Sequence, residues 1–154
     1  MENIINGLRI GNWVYDGERT QFPMYVQTIG EDYVYLNFDG NEGDVFECKP
    51  EELQGIPITE ELLIKMGFWK IPNNHFYELQ FHKDDTRETR CAITLSLKVG
   101  IANVTEYKEP ELPVEDGLHL LQPSGTARIK YLHELQNLFK AITKDDLKID
   151  IWNK

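Results

Sequence analysis

The residues of this chain whose types could do chemistry are four histidines, two cysteines and a serine flanked by turn formers, and their spacing supports none of the usual sites. His75 and His82 lie an odd number of positions apart on one strand-like run. They therefore point to opposite faces and cannot form a His-x-His metal pair. His119 belongs to another predicted strand, and His133 to the polar side of a predicted helix. Cys48 and Cys91 are far apart, each at the end or start of a strand-like run, and read as buried reduced thiols, not a disulfide. Ser124 stands in Pro123-Ser124-Gly125, a tight-turn sequence without the Gly-x-Ser-x-Gly setting of an activated serine. No glycine run spells a phosphate loop, and no Gly-Lys-Ser/Thr occurs. The sequence implies no metal, no cofactor and no catalytic residue. An enzyme on this chain would need a carboxylate or histidine site assembled only in three dimensions.

Two other patterns carry functional meaning. Glu42, Asp44, Glu47, Glu51, Glu52, Glu60 and Glu61 form one acidic group, and Glu109, Glu111, Glu115 and Asp116 a second. Spaced carboxylates can imitate nucleic-acid phosphates, so an acidic decoy of a nucleic-acid-binding protein is one expectation; a solvated acidic surface is the plain alternative. The second pattern is aromatic. Tyr25, Tyr33 and Tyr35, with Trp13 nearby, are predicted to share the outer face of a hairpin, and tyrosine and tryptophan are favoured at interaction hot spots. The same face would serve equally well as internal packing against the second half of the chain.

The elements that must position these residues are legible from periodicity and turn signals. Leu8 to Tyr15, Phe22 to Ile29, Tyr33 to Phe38 and Val45 to Cys48 read as strands, with Gly30-Glu31-Asp32 as a three-residue hairpin loop. Pairing Ile29 with Tyr33 puts Met24, Val26, Thr28, Val34, Leu36 and Phe38 on the core face. Asp39 to Asp44 is a turn. Lys49 to Gly55 reads as one helical turn begun by Pro50 and stopped by Gly55, and Ile56-Pro57-Ile58 as a short edge strand. This order of elements is similar to that of SH3-like small barrels.

After Ile58 the pattern changes. Thr59 is placed to cap a helix through Glu60 to Met66 that Gly67 stops. His75 to His82 and Cys91 to Lys98 alternate as antiparallel strands around a charged loop from Asp84 to Arg90. Ile101 to Tyr107 is a further strand, and Lys108 to Gly117, with two prolines and four acids, an exposed loop. Leu118 to Gln122 and Thr126 to Ile129 flank Pro123-Ser124-Gly125. Leu132, Leu135, Phe139 and Ile142 recur at helical spacing, with Tyr131 and Leu138 beside them and His133, Glu134, Asn137 and Lys140 opposite. Thr143 and Asp146 have capping-box spacing, and Ile149 to Trp152 is predicted as a last strand.

Composition bounds the function. At 154 residues with 41% hydrophobic content the chain can bury a core as one domain, or as two small ones meeting at residue 58 (1–58 and 59–154). A net charge of −10 opposes direct binding to nucleic-acid backbones or anionic membranes. No apolar run reaches the roughly 20 residues of a membrane span, and the start lacks the basic and apolar regions of an export signal. The expected location is the cytoplasm.

The segments Leu8-Arg9-Ile10-Gly11-Asn12-Trp13-Val14, Ile56 to Phe68 and Ile129 to Phe139 occur in the same order as in a family the chain resembles. That family is an uncharacterised group of small proteins from gut-type bacteria and their phages or mobile elements. The resemblance covers both ends and the junction near residue 58, but not Asn73 to Gly125. It implies a cytoplasmic accessory protein with no established activity. The expectation is an α+β protein: a small SH3-like barrel or bent sheet, then an antiparallel sheet packed with two helices. Its expected function is non-enzymatic binding of another protein.

Overall fold

The computed structural model describes residues 4, 7–17, 22–38, 45–73, 75–82, 89–108 and 122–149. Among these, β-structure dominates, in two five-stranded antiparallel sheets with two α-helices, an α+β protein. The predicted turn at residues 39–44, most of the charged loop after His82, the acidic loop before residue 118 and the strand at 149–152 fall mainly or wholly outside the described residues. Two compact units form. One is Met1–Ile58 with Tyr131–Leu138, and the other is Thr59–Lys130 with residues 139–150. The division at Ile58 coincides with the change of pattern in the sequence, but the start of the terminal helix goes with the first unit.

The first unit contains β1 (Trp13–Tyr15), β2 (Met24–Ile29), β3 (Val34–Asn37), β4 (Phe46–Cys48) and β5 (Gln54–Gly55), in the curled order β4-β3-β2-β1-β5. A 3-10 turn at Pro50–Glu52 leads into β5. One sheet face presents Val14, Met24, Val26, Val34, Leu36 and Cys48, which with Ile4, Leu8 and Leu53 make the core. Three expectations are corrected. Gln27 forms a bulge, so Val26 faces Leu36 as predicted, but Ile29 faces Val34, not Tyr33, and Thr28 turns outward beside Tyr35. Phe38 lies beyond the last paired residue of β3 and is exposed, its ring edge-on to Phe46 at 5.2 Å. The final strand is Gln54–Gly55; Pro57 makes only an isolated bridge to Tyr131.

The second unit has β6 (Trp69–Lys70), β7 (Phe76–His82), β8 (Thr89–Ser96), β9 (Ile101–Lys108) and β10 (Gln122–Arg128) in the order β10-β9-β8-β7-β6. Tyr77, Leu95 and Ala102 align across three strands, and so do Leu79, Ile93 and Val104; all but Leu79 are buried. Helix α1 (Glu60–Lys65) begins and ends as its sequence demands. Thr59 Oγ1 accepts the Leu62 N–H at 3.2 Å. At the other end Gly67 takes φ +97°, Phe68 N–H donates to Leu63 O and Gly67 N–H to Ile64 O, which closes the last turn in a left-handed cap. Ser124 is corrected: it lies not in a hairpin turn but within β10, where the pairing with β9 shifts between Pro123 and Gly125.

Helix α2 (Leu132–Thr143) begins in the first unit and ends in the second. Glu134 reaches back to accept the Tyr131 N–H at 2.9 Å, half of a capping box. Leu132 and Leu135 are fully buried as the stripe predicts, whereas Phe139 and Ile142 are only partly so; Phe139 lies against Phe81 with ring centroids 5.0 Å apart. Thr143 does not start a new helix. Its hydroxyl donates to Phe139 O and accepts the Asp145 N–H, closing α2 before Lys144 adopts φ +66°. Among the described residues no helix is long and apolar enough to cross a membrane.

Candidate functional site

The face of the first sheet opposite its core carries the aromatic residues singled out from the sequence. Trp13 pairs with Tyr25, Tyr25 with Asn37, and Thr28 with Tyr35, which in turn pairs with Glu47. Tyr33 immediately precedes β3, and its carbonyl accepts the Gly30 N–H at 2.9 Å, which closes the loop. The bulge at Gln27 keeps Tyr25 and Tyr35 on one face while inserting a residue between their rows, and Gln27 Oε1 accepts a 2.9 Å hydrogen bond from the Asn37 amide. Tyr25 and Tyr35 thus share a face.

That face is covered at one end and open at the other. Trp13 is only 8% exposed and stands edge-on to Tyr25 at 5.4 Å, and Asn37 is 1% exposed. Trp13 is therefore a packing residue in this fold. At the other end Tyr33 is 39% exposed, Tyr35 half-buried, and Thr28, Glu31, Asp32 and Glu47 exposed. The open surface is consequently Tyr33 and Tyr35 with carboxylates around them, and Tyr25 marks its border.

The covered end is built by residues that carried no signal in the sequence. β5 offers β1 only Gln54 and Gly55, and just beyond it the Trp13 N–H donates to Gln136 Oε1 at 2.9 Å. Gln136 Nε2 donates to Gly11 O at 3.2 Å. The Asn12 amide donates to Asn137 Oδ1 at 2.9 Å, and Asn137 Nδ2 to Gly7 O at 2.6 Å. Asn12 also accepts the Arg9 N–H at 2.7 Å. Two amides of α2, Asn137 on its predicted polar side and Gln136, which carried no assignment, thus satisfy the irregular backbone of residues 7–13. His133 is corrected in the same sense: it is 3% exposed and stacks on Tyr131 at 5.8 Å, not on the surface. Tyr131 in turn lies over Gly55, where its ring occupies the space a Cβ would need. Gly55 is no helix stop but the seat of that ring.

Among the described residues no group of three or more His, Cys, Asp or Glu side chains is placed to hold a metal ion. His75 lies on an exposed bend before β7 and His82 at its end. Tyr77 is an ionisable group with a clear shift. Burial pushes its phenol pKa up, reinforced by the charge of Glu60 and by the hydrogen bond the hydroxyl donates to that carboxylate. This is a tie between the first turn of α1 and β7, not a reactive group. Comparison with known proteins returns no match, whether to family models, curated sequences or solved structures.

Proposed function

We propose that this chain is a non-enzymatic protein-binding or adaptor module, of phage or mobile-element type, acting in the cytoplasm. Its first unit is read as an SH3-like barrel, and its second as an antiparallel sheet packed with the two helices. The observation that carries the reading is the open end of the first sheet, where Tyr33 and Tyr35 stand outside a core that does not need them. The strand order β4-β3-β2-β1-β5, with a 3-10 turn before β5, supports the SH3-like assignment. Small barrels of this kind offer surface strands and loops, not a deep cavity, which suits binding better than catalysis.

The test is partner capture from the native host, identified by mass spectrometry, with the wild type and with Tyr33→Ser/Tyr35→Ser. The double variant is expected to weaken capture at least about tenfold, roughly 1.4 kcal/mol, with thermal unfolding nearly unchanged. Unchanged capture by a folded variant would remove this face as the binding site. A large loss of stability would show that the tyrosines are internal packing.

One observation favours a second reading, the acidic decoy. Residues 1–58 hold eleven acids against three bases, a net −8 of the chain's −10. A decoy spreads recognition over many carboxylates, so its binding would survive loss of the tyrosines and fail in high salt.

A further inference from the structure

We infer that the open tyrosine face receives an extended, basic segment of a partner protein, one that offers lysine or arginine side chains to Tyr33 and Tyr35; this rests on the protein-binding reading above. The register supplies the geometry. Tyr35 lies between Thr28 and Glu47 on neighbouring strands, and Glu47 is exposed. Glu31 and Asp32 form the tip of the β2–β3 loop immediately before Tyr33, and both are exposed. A tyrosine ring attracts a cation placed over its face, and carboxylates at its rim hold the same cation by charge. The described bases of this unit are Arg9, in the turn that Asn12 closes, and Lys49, which follows β4. Lys49 follows Cys48, the partner of Val34, so one base lies near Tyr33, against three exposed acids around the tyrosines, Glu31, Asp32 and Glu47. An acidic segment or a nucleic acid would meet repulsion here, and a purely apolar one would leave the carboxylates without counter-charge.

A random peptide library panned on the full-length chain at low ionic strength tests this. Retained peptides are expected to be enriched in Lys and Arg over the input. The best of them, made synthetically and titrated in solution, is expected to bind at least about tenfold more weakly to Tyr33→Ser/Tyr35→Ser. Glu31→Lys/Glu47→Lys, changes at exposed positions, is expected to shift the selection toward acidic peptides. Retained peptides that depend on the tyrosines but show no basic bias would overturn this inference and leave the protein-binding reading standing. Basic peptides held equally well by the folded serine variant would overturn both, since net charge alone would then account for them. Retention of no peptide at all would overturn the linear basic segment. Circular dichroism establishes that each variant is folded. Should the serine variant unfold, the single change Glu47→Gln carries the test: the same peptide is expected to lose several-fold in affinity, and an unchanged affinity overturns the inference.

Discussion

Individual side chains show how far a residue's type can stand from its role. Gly55 looks like punctuation in the sequence, yet its missing Cβ is what admits the Tyr131 ring. Gly55→Ala is therefore expected to cost about 1–3 kcal/mol, as overpacking does. In a Tyr131→Ala background the same change should cost much less, and denaturant melts of the two pairs measure the difference. Equal costs would show that the ring is not the obstacle. Tyr77 gives a pH signature. In the unfolded chain its phenol titrates at its ordinary value, near 10, while in the fold burial and Glu60 hold the proton to higher pH. Its contribution is thus full below about pH 10 and lost as pH rises through the folded value. Stability followed by urea melts above neutral pH should fall more shallowly in Tyr77→Phe than in the wild type over that window.

At the level of elements, the two helices differ in legibility. For α1 the local signals suffice: a threonine that caps, acids in the first turn and a glycine at positive φ that stops it. For α2 the apolar stripe correctly marks Leu132 and Leu135, but on the polar side, expected to face water, His133 is buried and Asn137 is tied to distant backbone. Amphipathic periodicity separates apolar from polar positions; it cannot tell a solvated amide from one that pairs with distant backbone. Gln136→Ala should cost about 1–3 kcal/mol, because it strips the Trp13 N–H of its acceptor. Asn137→Ala, at a part-exposed position, should cost less. Chemical denaturation of both variants distinguishes these outcomes, and a Gln136 effect below that of Asn137 would contradict the assignment. The hairpin shows a similar limit. Alternation found the core faces of Met24, Val26, Val34 and Leu36 but misplaced Thr28 and Phe38; the bulge at Gln27, which turns Thr28 outward, arises from pairing between strands and has no signal within either.

The whole chain is two units with an interrupted sequence, since Tyr131–Leu138 completes a fold begun at the N-terminus. Leu132 N–H donates to Ile56 O, Pro57 bridges Tyr131, and Gln136 and Asn137 satisfy residues 7–13. A chain ending at Lys130 is accordingly expected to lose protection of the β1 amides against hydrogen exchange, even though residues 1–58 are intact in it. Native-like protection of Trp13 and Val14 in that fragment would show that the first unit stands without the helix. Charge follows the same division, with most of the net negative charge on residues 1–58, and the direction of any electrostatic attraction is set by that unit.

What the sequence by itself determined is the local layer: an α+β chain with a change of architecture at Ile58, most strand positions, both helices and the outer tyrosines of β2 and β3. These depend on periodicity, turn chemistry and capping, all of which act over a few neighbouring residues. Only tertiary structure decided which end of the tyrosine face is open, why Trp13 and His133 are buried, and where the start of α2 belongs. The covered end and the place of α2 rest on pairings between segments far apart in sequence, such as Trp13 with Gln136 and Asn12 with Asn137. Side-chain amides and histidine are compatible with either water or a buried partner, so their placement is settled by the partner and not by their own type.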